Sequence, residues 1–246
     1  GDGTDNLFLL YGVPMYQVTH LAGLVSSFNT EVIDNLDFYK SGFPARFGGK
    51  LSSVVDITTR PGNMQEYHGS FNIGLLSGGF QAEGPIVPGK TSFNVAVRRS
   101  WFDALTIPLN IITNLKQPYG DSKNVHYSMT DLNASLTHLC DPDSRLSFNI
   151  FAGNDRLLYD WKDLQVKYWE GERHVGESGY TLDSDWGNIL ASLNWDKKFS
   201  DDLHFNSILY YVRSNSGLGL IRKKWTMDES SPVITDDQHI DSNFSK

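Results

Sequence analysis

The sequence predicts a mainly β protein: a small compact element followed by about seven antiparallel strands of an incomplete transmembrane-type β-barrel. Three observations favour this fold class. From Tyr67 onward, apolar and polar residues alternate with a period of two. The connections alternate between tight turns and long polar links, and the polar strand faces carry small uncharged side chains rather than Lys and Glu. In isolation we expect an open or rolled sheet, because the strands are too few to close a barrel with a lumen.

The predicted strands are recognised by their alternation. In the first strand, Phe71, Ile73 and Leu75 alternate with Ser70 and Asn72. The other six strands are centred on residues 80–83, 93–98, 132–137, 146–150, 188–195 and 204–211. One face of each strand is therefore apolar and the other is polar, as in a sheet with two different environments.

The connections between the strands fall into two classes. Residues 87–90, 141–144 and 200–202 predict tight turns, whereas residues from about 101–126, 156–184 and 216–246 predict long polar links. Tight turns at one rim and long loops at the other are typical of outer-membrane barrels. A soluble antiparallel β-sandwich stays open as the alternative, because the same apolar faces would form its core.

Composition narrows the classes of function. The chain has 246 residues and a net charge of -8, which argues against a nucleic-acid partner. Its single cysteine, Cys140, excludes an internal disulfide framework. No apolar run has the length of a membrane-spanning helix, a criterion that leaves membrane-spanning strands open. No motif predicts a cofactor, a metal site or a catalytic residue.

The stretch before these strands carries a family resemblance. Residues 10–14 (LYGVP) resemble the short strand with glycine and proline in the plug domain of TonB-dependent outer-membrane receptors. Residues 46–49 (RFGG) are similar to the plug's paired-glycine turn, and residues 54–59 (VVDITT) resemble its closing strand. Residues 83–86 (EGPI) look like the second barrel strand of such receptors, particularly those of the Bacteroidetes type.

The resemblance implies two domains. Residues 1–63 would be the C-terminal part of the plug, and residues 64–246 the N-terminal portion of the barrel with long loops. We therefore expect a fragment of a receptor, because the first half of the plug, the segment that contacts TonB and most of the barrel have no counterpart in this sequence. Tyr11 stands where the family usually has an acidic residue.

The same resemblance implies function and partners. The intact receptor would bind an extracellular solute, such as a siderophore, cobalamin, a peptide or an oligosaccharide, and import it with energy coupled through TonB. Its location would be the cell outer membrane, in contact with lipid, and the chain alone would not be transport-competent. It would not be an enzyme and would need no cofactor. An open sheet also exposes two edges, so we expect self-association of the fragment.

The candidate site residues follow from the plug resemblance. Tyr16, Gln17 and His20 follow the first plug strand, in a region that faces the outer cavity in the family, and are the candidate ligand-binding residues. Arg46 corresponds to a plug position that pairs with barrel carboxylates, and Glu83 is its candidate partner. That pair would lock the plug in the barrel, because breaking one partner leaves an uncompensated charge.

Two other functions stay open. A soluble β-sandwich would be a ligand-binding module of carbohydrate type, with exposed tryptophans as stacking platforms. A secreted hydrolase would use the carboxylates and the histidine between residues 160 and 177, although no second feature supports a general acid and base there.

Overall fold

The computed structural model describes residues 6–15, 19–20, 25–26, 32–40, 53–117, 121–169, 171–228 and 231–245. The N-terminal strands are β1 (Asn6–Leu10), β2 (Val13–Met15), β3 (Thr19–His20), β4 (Val25–Ser26), β5 (Ile33–Lys40) and β6 (Ser53–Thr59). They are followed by β7 (His68–Ile73), β8 (Ser77–Val87), β9 (Thr91–Ser100), α1 (Phe102–Leu115), β10 (Ser122–Asp141), β11 (Ser144–Trp169), β12 (Glu172–Lys198), β13 (His204–Asp228) and β14 (Ser231–Ser245). No helix within these ranges has both the length and the apolar content needed to cross a membrane.

The eight strands β7 to β14 form one antiparallel sheet in chain order. Among the described residues the sheet is open, and β7 and β14 are its edge strands. The predicted fold class is confirmed, with eight strands instead of about seven. The predicted tight turns join β8 to β9, β10 to β11 and β12 to β13.

The three long polar links predicted from the sequence are wrong. Strands β11 and β12 continue through most of residues 156–184, and β13 and β14 occupy most of residues 216–246. Arg156, Asp160 and Asp183 put charged side chains on the strand faces that are apolar at Phe148 and Ile189, so the predicted alternation stops although the strand does not. Cross-strand polar contacts replace it: Arg156 Nη2 lies 2.8 Å from Asp183 Oδ2, and the Thr181 hydroxyl donates to Asp160 at 2.7 Å.

The third predicted link, 101–126, contains α1 and the start of β10. Residues 122–129 of β10 extend beyond the end of β9, which pairs with residues 130–138. Side chains of α1 occupy this edge: Asn110 Nδ2 donates to the Val125 carbonyl at 3.1 Å, and Asn114 Oδ1 accepts from the Lys123 amide at 2.8 Å. The polar stripe of α1 therefore faces the sheet, while aliphatic side chains such as Leu115 are exposed.

The N-terminal strands form a smaller mixed sheet in the order β2-β1-β6-β5. Strand β1 is parallel to β6 and antiparallel to β2. The β1–β2 turn consists of Tyr11 and Gly12, whose φ angles are 57° and 75°. This left-handed pair matches the twist of a tight hairpin, and it is a costly conformation for a tyrosine.

Spatial contacts divide the chain into two units. Unit 1 comprises residues 1–99, 130–153 and 187–214, and unit 2 comprises residues 100–129, 154–186 and 215–246. The division shows which residues lie close together in space, and each unit combines several separate segments of the chain. The predicted boundary between a plug part (1–63) and a barrel part (64–246) stays a prediction, and the strands on its two sides belong to different sheets.

Candidate functional site

The candidate ligand residues stay a prediction. Tyr16 and Gln17 lie outside the described residues. His20 belongs to the two-residue strand β3, whose residues pair with Ser26 and Val25 of β4. The structure therefore gives no contact that joins these three positions into a site.

The candidate plug lock also stays a prediction. Arg46 lies outside the described residues. Glu83 lies on β8 opposite His68 of β7, on the same strand face as Gln81. Gln81 is buried and donates to Asn94 Oδ1 at 3.0 Å, so this face of the sheet is the covered one. We call it the inner face.

A buried apolar cluster, which we call the apolar seat, holds the small sheet in unit 1. Leu10, Val13 and Ile57 of the small sheet form one buried cluster with Phe151 of β11 and Leu190 of β12. Phe151 and Leu190 lie on the inner face, where the neighbouring side chains are otherwise polar. Burying a side chain of this size contributes about 1.5–3 kcal/mol, so the cluster fixes the small sheet against the large one.

Neutral hydrogen bonds add to this seat. Asn194 Nδ2 donates to the Tyr11 carbonyl at 3.3 Å, and Asn94 Nδ2 donates to the Arg60 carbonyl at 3.2 Å. The Tyr11 hydroxyl makes a long hydrogen bond of 3.5 Å to Asn133 Oδ1. These contacts of unit 1 are hydrogen bonds between uncharged groups.

Tyr11 belongs to the apolar cluster and also takes part in the hydrogen bonds. Its side chain is buried, and burial raises the pKa of the phenol to about 12, while a hydrogen bond with the Thr59 side chain opposes part of the rise. The sequence analysis noted Tyr11 only as a departure from the family pattern. Its place at a left-handed turn, against the inner face, gives that departure a structural role.

The inner face of unit 1 also contains a buried ion pair. Asp131 of β10 lies opposite Arg98 of β9, and its Oδ2 accepts from Arg98 Nε at 2.9 Å and Nη2 at 2.6 Å. The Asp131 side chain is fully buried. Gly153 leaves room for it, since a methyl group at that position would lie 3.0 Å from Asp131 Oδ1.

A polar cavity of about 280 Å³ lies between the small sheet and the inner face in unit 1. The small sheet contributes the Tyr11–Gly12 turn and the end of β6. The large sheet contributes polar side chains that alternate along four strands: Ser135, Thr137, Arg145, Ser147, Asn149, Asn194, Asp196 and Asn206. Hydroxyl, amide and charged groups on all sides make this a cavity for water or a hydrophilic solute.

The inner face of unit 2 is aromatic. Tyr127 contacts Phe102 and Trp186, with ring centroids 5.6 Å and 6.5 Å away. Its hydroxyl makes a short hydrogen bond to the buried carboxylate of Asp155. Tyr127 is itself buried, so these rings form a packed aromatic cluster.

A second aromatic group lies further along the same strands. Tyr180 of β12 contacts Tyr159 and Trp161 of β11, with centroids 5.7 Å and 5.1 Å away. The period of two places Tyr159 and Trp161 on the strand face that carries Asp155. The sequence analysis missed both groups because it assigned residues 156–184 to a loop. The alternation of Tyr180 and Trp186 with carboxylates on the opposite face was the available signal.

The remaining hydrolase hypothesis concerned residues 160–177. Among the described residues, no group of three or more His, Cys, Asp and Glu side chains has an arrangement that holds a metal ion. Asp160 is engaged by Thr181 across two strands. An enzymatic role stays untested by these contacts.

Comparison with known proteins gives little beyond this description. No family model and no curated protein matches the sequence. Among solved structures, the siderophore receptor PirA from Acinetobacter baumannii is similar, with a TM-score of 0.42 and 11% sequence identity over 99% of this chain. The chain spans 40% of the length of that receptor chain. A similarity of this size carries no argument about ligand or mechanism, so the strand pairing above defines the fold.

Proposed function

We propose that this chain is part of an outer-membrane receptor of the TonB-dependent type. In the intact receptor it would help to bind an extracellular solute and import it with energy coupled through TonB. The chain would act as a receptor and not as an enzyme, in contact with outer-membrane lipid. The solute class, whether siderophore, cobalamin, peptide or oligosaccharide, belongs to the proposal.

The observation that carries the proposal is the inverted polarity of the sheet. On β11, Phe148 is 42% exposed, whereas the next residue, Asn149, is 5% exposed. On β12, Ile189 is 46% exposed and Ser192 is 2% exposed. A sheet that exposes its aliphatic face and covers its amide face suits a solvent that is itself apolar, which favours a lipid environment.

The outer face changes character along the strands. Its apolar positions, such as Leu193 and Leu209, belong to strand portions of unit 1. In unit 2 the Arg156–Asp183 ion pair is exposed to solvent. An apolar band that gives way to charged residues matches strands that cross a hydrocarbon layer and continue into water.

The contacts of the small sheet support a plug role. An apolar seat of limited size and a few neutral hydrogen bonds hold it against the inner face, beside a polar cavity. Separating the uncharged groups of these hydrogen bonds leaves no buried ion behind, so each of these contacts can be broken at a smaller cost than a buried ion pair.

The soluble carbohydrate-binding sandwich is the second candidate. It requires the apolar strand faces to pack against one another, and in the described residues those faces are exposed. Exposed rings such as Trp195, at 41%, are the observation in its favour. Lipid and water are therefore the two environments that an experiment must separate.

Fluorescence quenching by lipids with brominated acyl chains distinguishes a lipid environment of the apolar strand faces from an aqueous one. The chain reconstituted into such vesicles should lose part of its tryptophan emission, because Trp195 lies on the apolar outer face. Trp195→Phe should remove a share of the lipid-dependent quenching, and Trp186→Phe, on the inner face, should not. A chain that stays monomeric in water, with emission unaffected by brominated lipid, would support the sandwich and defeat the receptor proposal.

The import function needs a cellular test with the full reading frame. Deleting the gene should slow growth when one solute class, supplied as ferric siderophore, cobalamin, peptide or oligosaccharide, is limiting. Deleting TonB in the same host should produce the same defect. Normal growth and uptake on all four would count against import.

A further inference from the structure

Two polar cavities in unit 1 meet at a single ion pair. The first, of about 280 Å³, extends from the end of β6 at Thr59 to the wall residue Ser147. The second, of about 270 Å³, lies at the turns that join β10 to β11 and β12 to β13, beside His204. Among the described residues, Arg145 and Asp196 line both cavities, and they are the two that the cavities share. These two side chains therefore lie where the two cavities approach each other.

The pair formed by these two side chains is loose. Arg145 Nη2 lies 3.7 Å from Asp196 Oδ2, and the Arg145 side chain is 52% exposed. The Asp196 carboxylate also accepts a hydrogen bond from Asn206 Nδ2 at 3.2 Å and contacts His204 Nε2. Asp196 is thus held by several partners, whereas Arg145 has a long contact that solvent screens. Arg145 is the member of the pair that can move without leaving a buried charge.

The first cavity is large enough to hold a group of water molecules. Its volume corresponds to about nine water molecules, at about 30 Å³ each. Hydroxyl and amide groups on opposite walls, such as Thr58 on β6 and Asn149 on β11, give these waters partners. An apolar molecule would have to displace that hydrogen-bonded water, whereas a small ion or hydrophilic solute would keep it.

We propose that the two cavities form one hydrated passage for water and small hydrophilic ions, and that the Arg145–Asp196 pair is its gate. With the pair closed, the guanidinium and carboxylate occupy the junction. When the Arg145 side chain swings into solvent, the junction opens, and the small sheet keeps its apolar seat at Phe151 and Leu190. The passage needs neither solute recognition nor TonB, so it stands apart from the proposed import function.

Thiol accessibility tests the passage in the full chain, folded in detergent. In a Cys140→Ser background, which removes the single native cysteine, Ser147→Cys places a thiol on the wall of the first cavity. A small charged methanethiosulfonate reagent should modify this thiol in the folded protein. Phe148→Cys is the matched control, because the next residue lies on the outer face, where detergent excludes the charged reagent.

The gate is tested by a second substitution in the same protein. Arg145→Ala should raise the modification rate at position 147 by about two- to fivefold, the range set by a screened ion pair, and should leave the rate at position 148 unchanged. Asp196→Asn should act in the same direction and serves if Arg145→Ala fails to fold. A thiol at position 147 that reacts only after unfolding overturns the passage. Equal rates with and without the Arg145 side chain, in two folded proteins, overturn the gate.

Discussion

Replacing Tyr11 by phenylalanine should change how the stability of the chain responds to alkaline pH. Burial raises the pKa of this phenol to about 12, from the ordinary value of 10.0 that it has in the unfolded chain. Below about pH 10 the phenol is protonated in both states, so its ionisation adds nothing to the pH dependence of stability. Between about pH 10 and 12 the unfolded chain releases the proton and the folded chain keeps it.

The sign and size of the effect follow from that difference. Because only the unfolded state gains from deprotonation in this window, the free energy of unfolding falls as the pH rises. A difference of about 2 between the two pKa values corresponds to a loss of about 2.7 kcal/mol by about pH 12. At neutral pH, Tyr11→Phe should cost about 1–2 kcal/mol, since it removes the long hydrogen bond to Asn133 and the hydrogen bond with the Thr59 side chain.

Urea unfolding of the two proteins in detergent, at several pH values between about 9 and 12, measures the effect. The other tyrosines and the lysines titrate in both proteins, so the difference between wild type and Tyr11→Phe isolates this one group. Compared with its value at neutral pH, the difference in the free energy of unfolding between the two proteins should change little at about pH 9. Near pH 12 the wild type should have lost almost the full amount relative to Tyr11→Phe. Parallel curves, together with tyrosinate absorbance that shows every phenol ionising near pH 10, would refute the burial argument.

Two further substitutions test other contacts of unit 1. Asp131→Ala should lower the free energy of unfolding by about 3–5 kcal/mol, because it leaves the largely buried Arg98 without its carboxylate, and urea titration measures the loss. The double replacement of Arg98 and Asp131 by leucine should be much milder, and an equal loss would contradict an ionic origin. Gly62→Ala should destabilise by about 1–3 kcal/mol or more in the same titration, since the new methyl carbon would lie 1.9 Å from the Phe93 carbonyl oxygen. A wild-type midpoint for this variant would show that the backbone shifts at no cost.

The alternation of side chains predicted the large sheet wherever one strand face is apolar. Phe148 and Asn149 differ so strongly in polarity that the strand direction and its two faces follow at once. The same rule failed where the apolar face of the strand becomes charged, as at Arg156 and Asp183, because the alternation that marked the strand does not continue there. For that reason the prediction missed the additional length of β11 and β12, and it also missed β14.

The candidate site was less predictable than the fold. Residues 10–14 were predicted to be a short plug strand, but neither the turn at Tyr11 and Gly12 nor its partners were predicted. Asn133 and Asn194 look like ordinary polar positions of their strands, and only the tertiary arrangement brings them to the turn. The helix α1 was missed for a related reason: its Asn110 stripe follows a helical period that a loop rich in polar residues also tolerates.

The contacts that hold the small sheet form late during synthesis. Each strand of the large sheet pairs with its neighbour in the chain, so every hairpin can close as soon as it is made. The hydrogen bonds of Tyr11 instead reach Asn133, 122 residues later, and Asn194, 183 residues later. The strands of the small sheet, which are translated before the large sheet, are therefore among the last to find their contacts. Until β12 exists, the growing chain must carry these strands without their seat, and Leu10 and Val13 are open to other apolar surfaces in that interval.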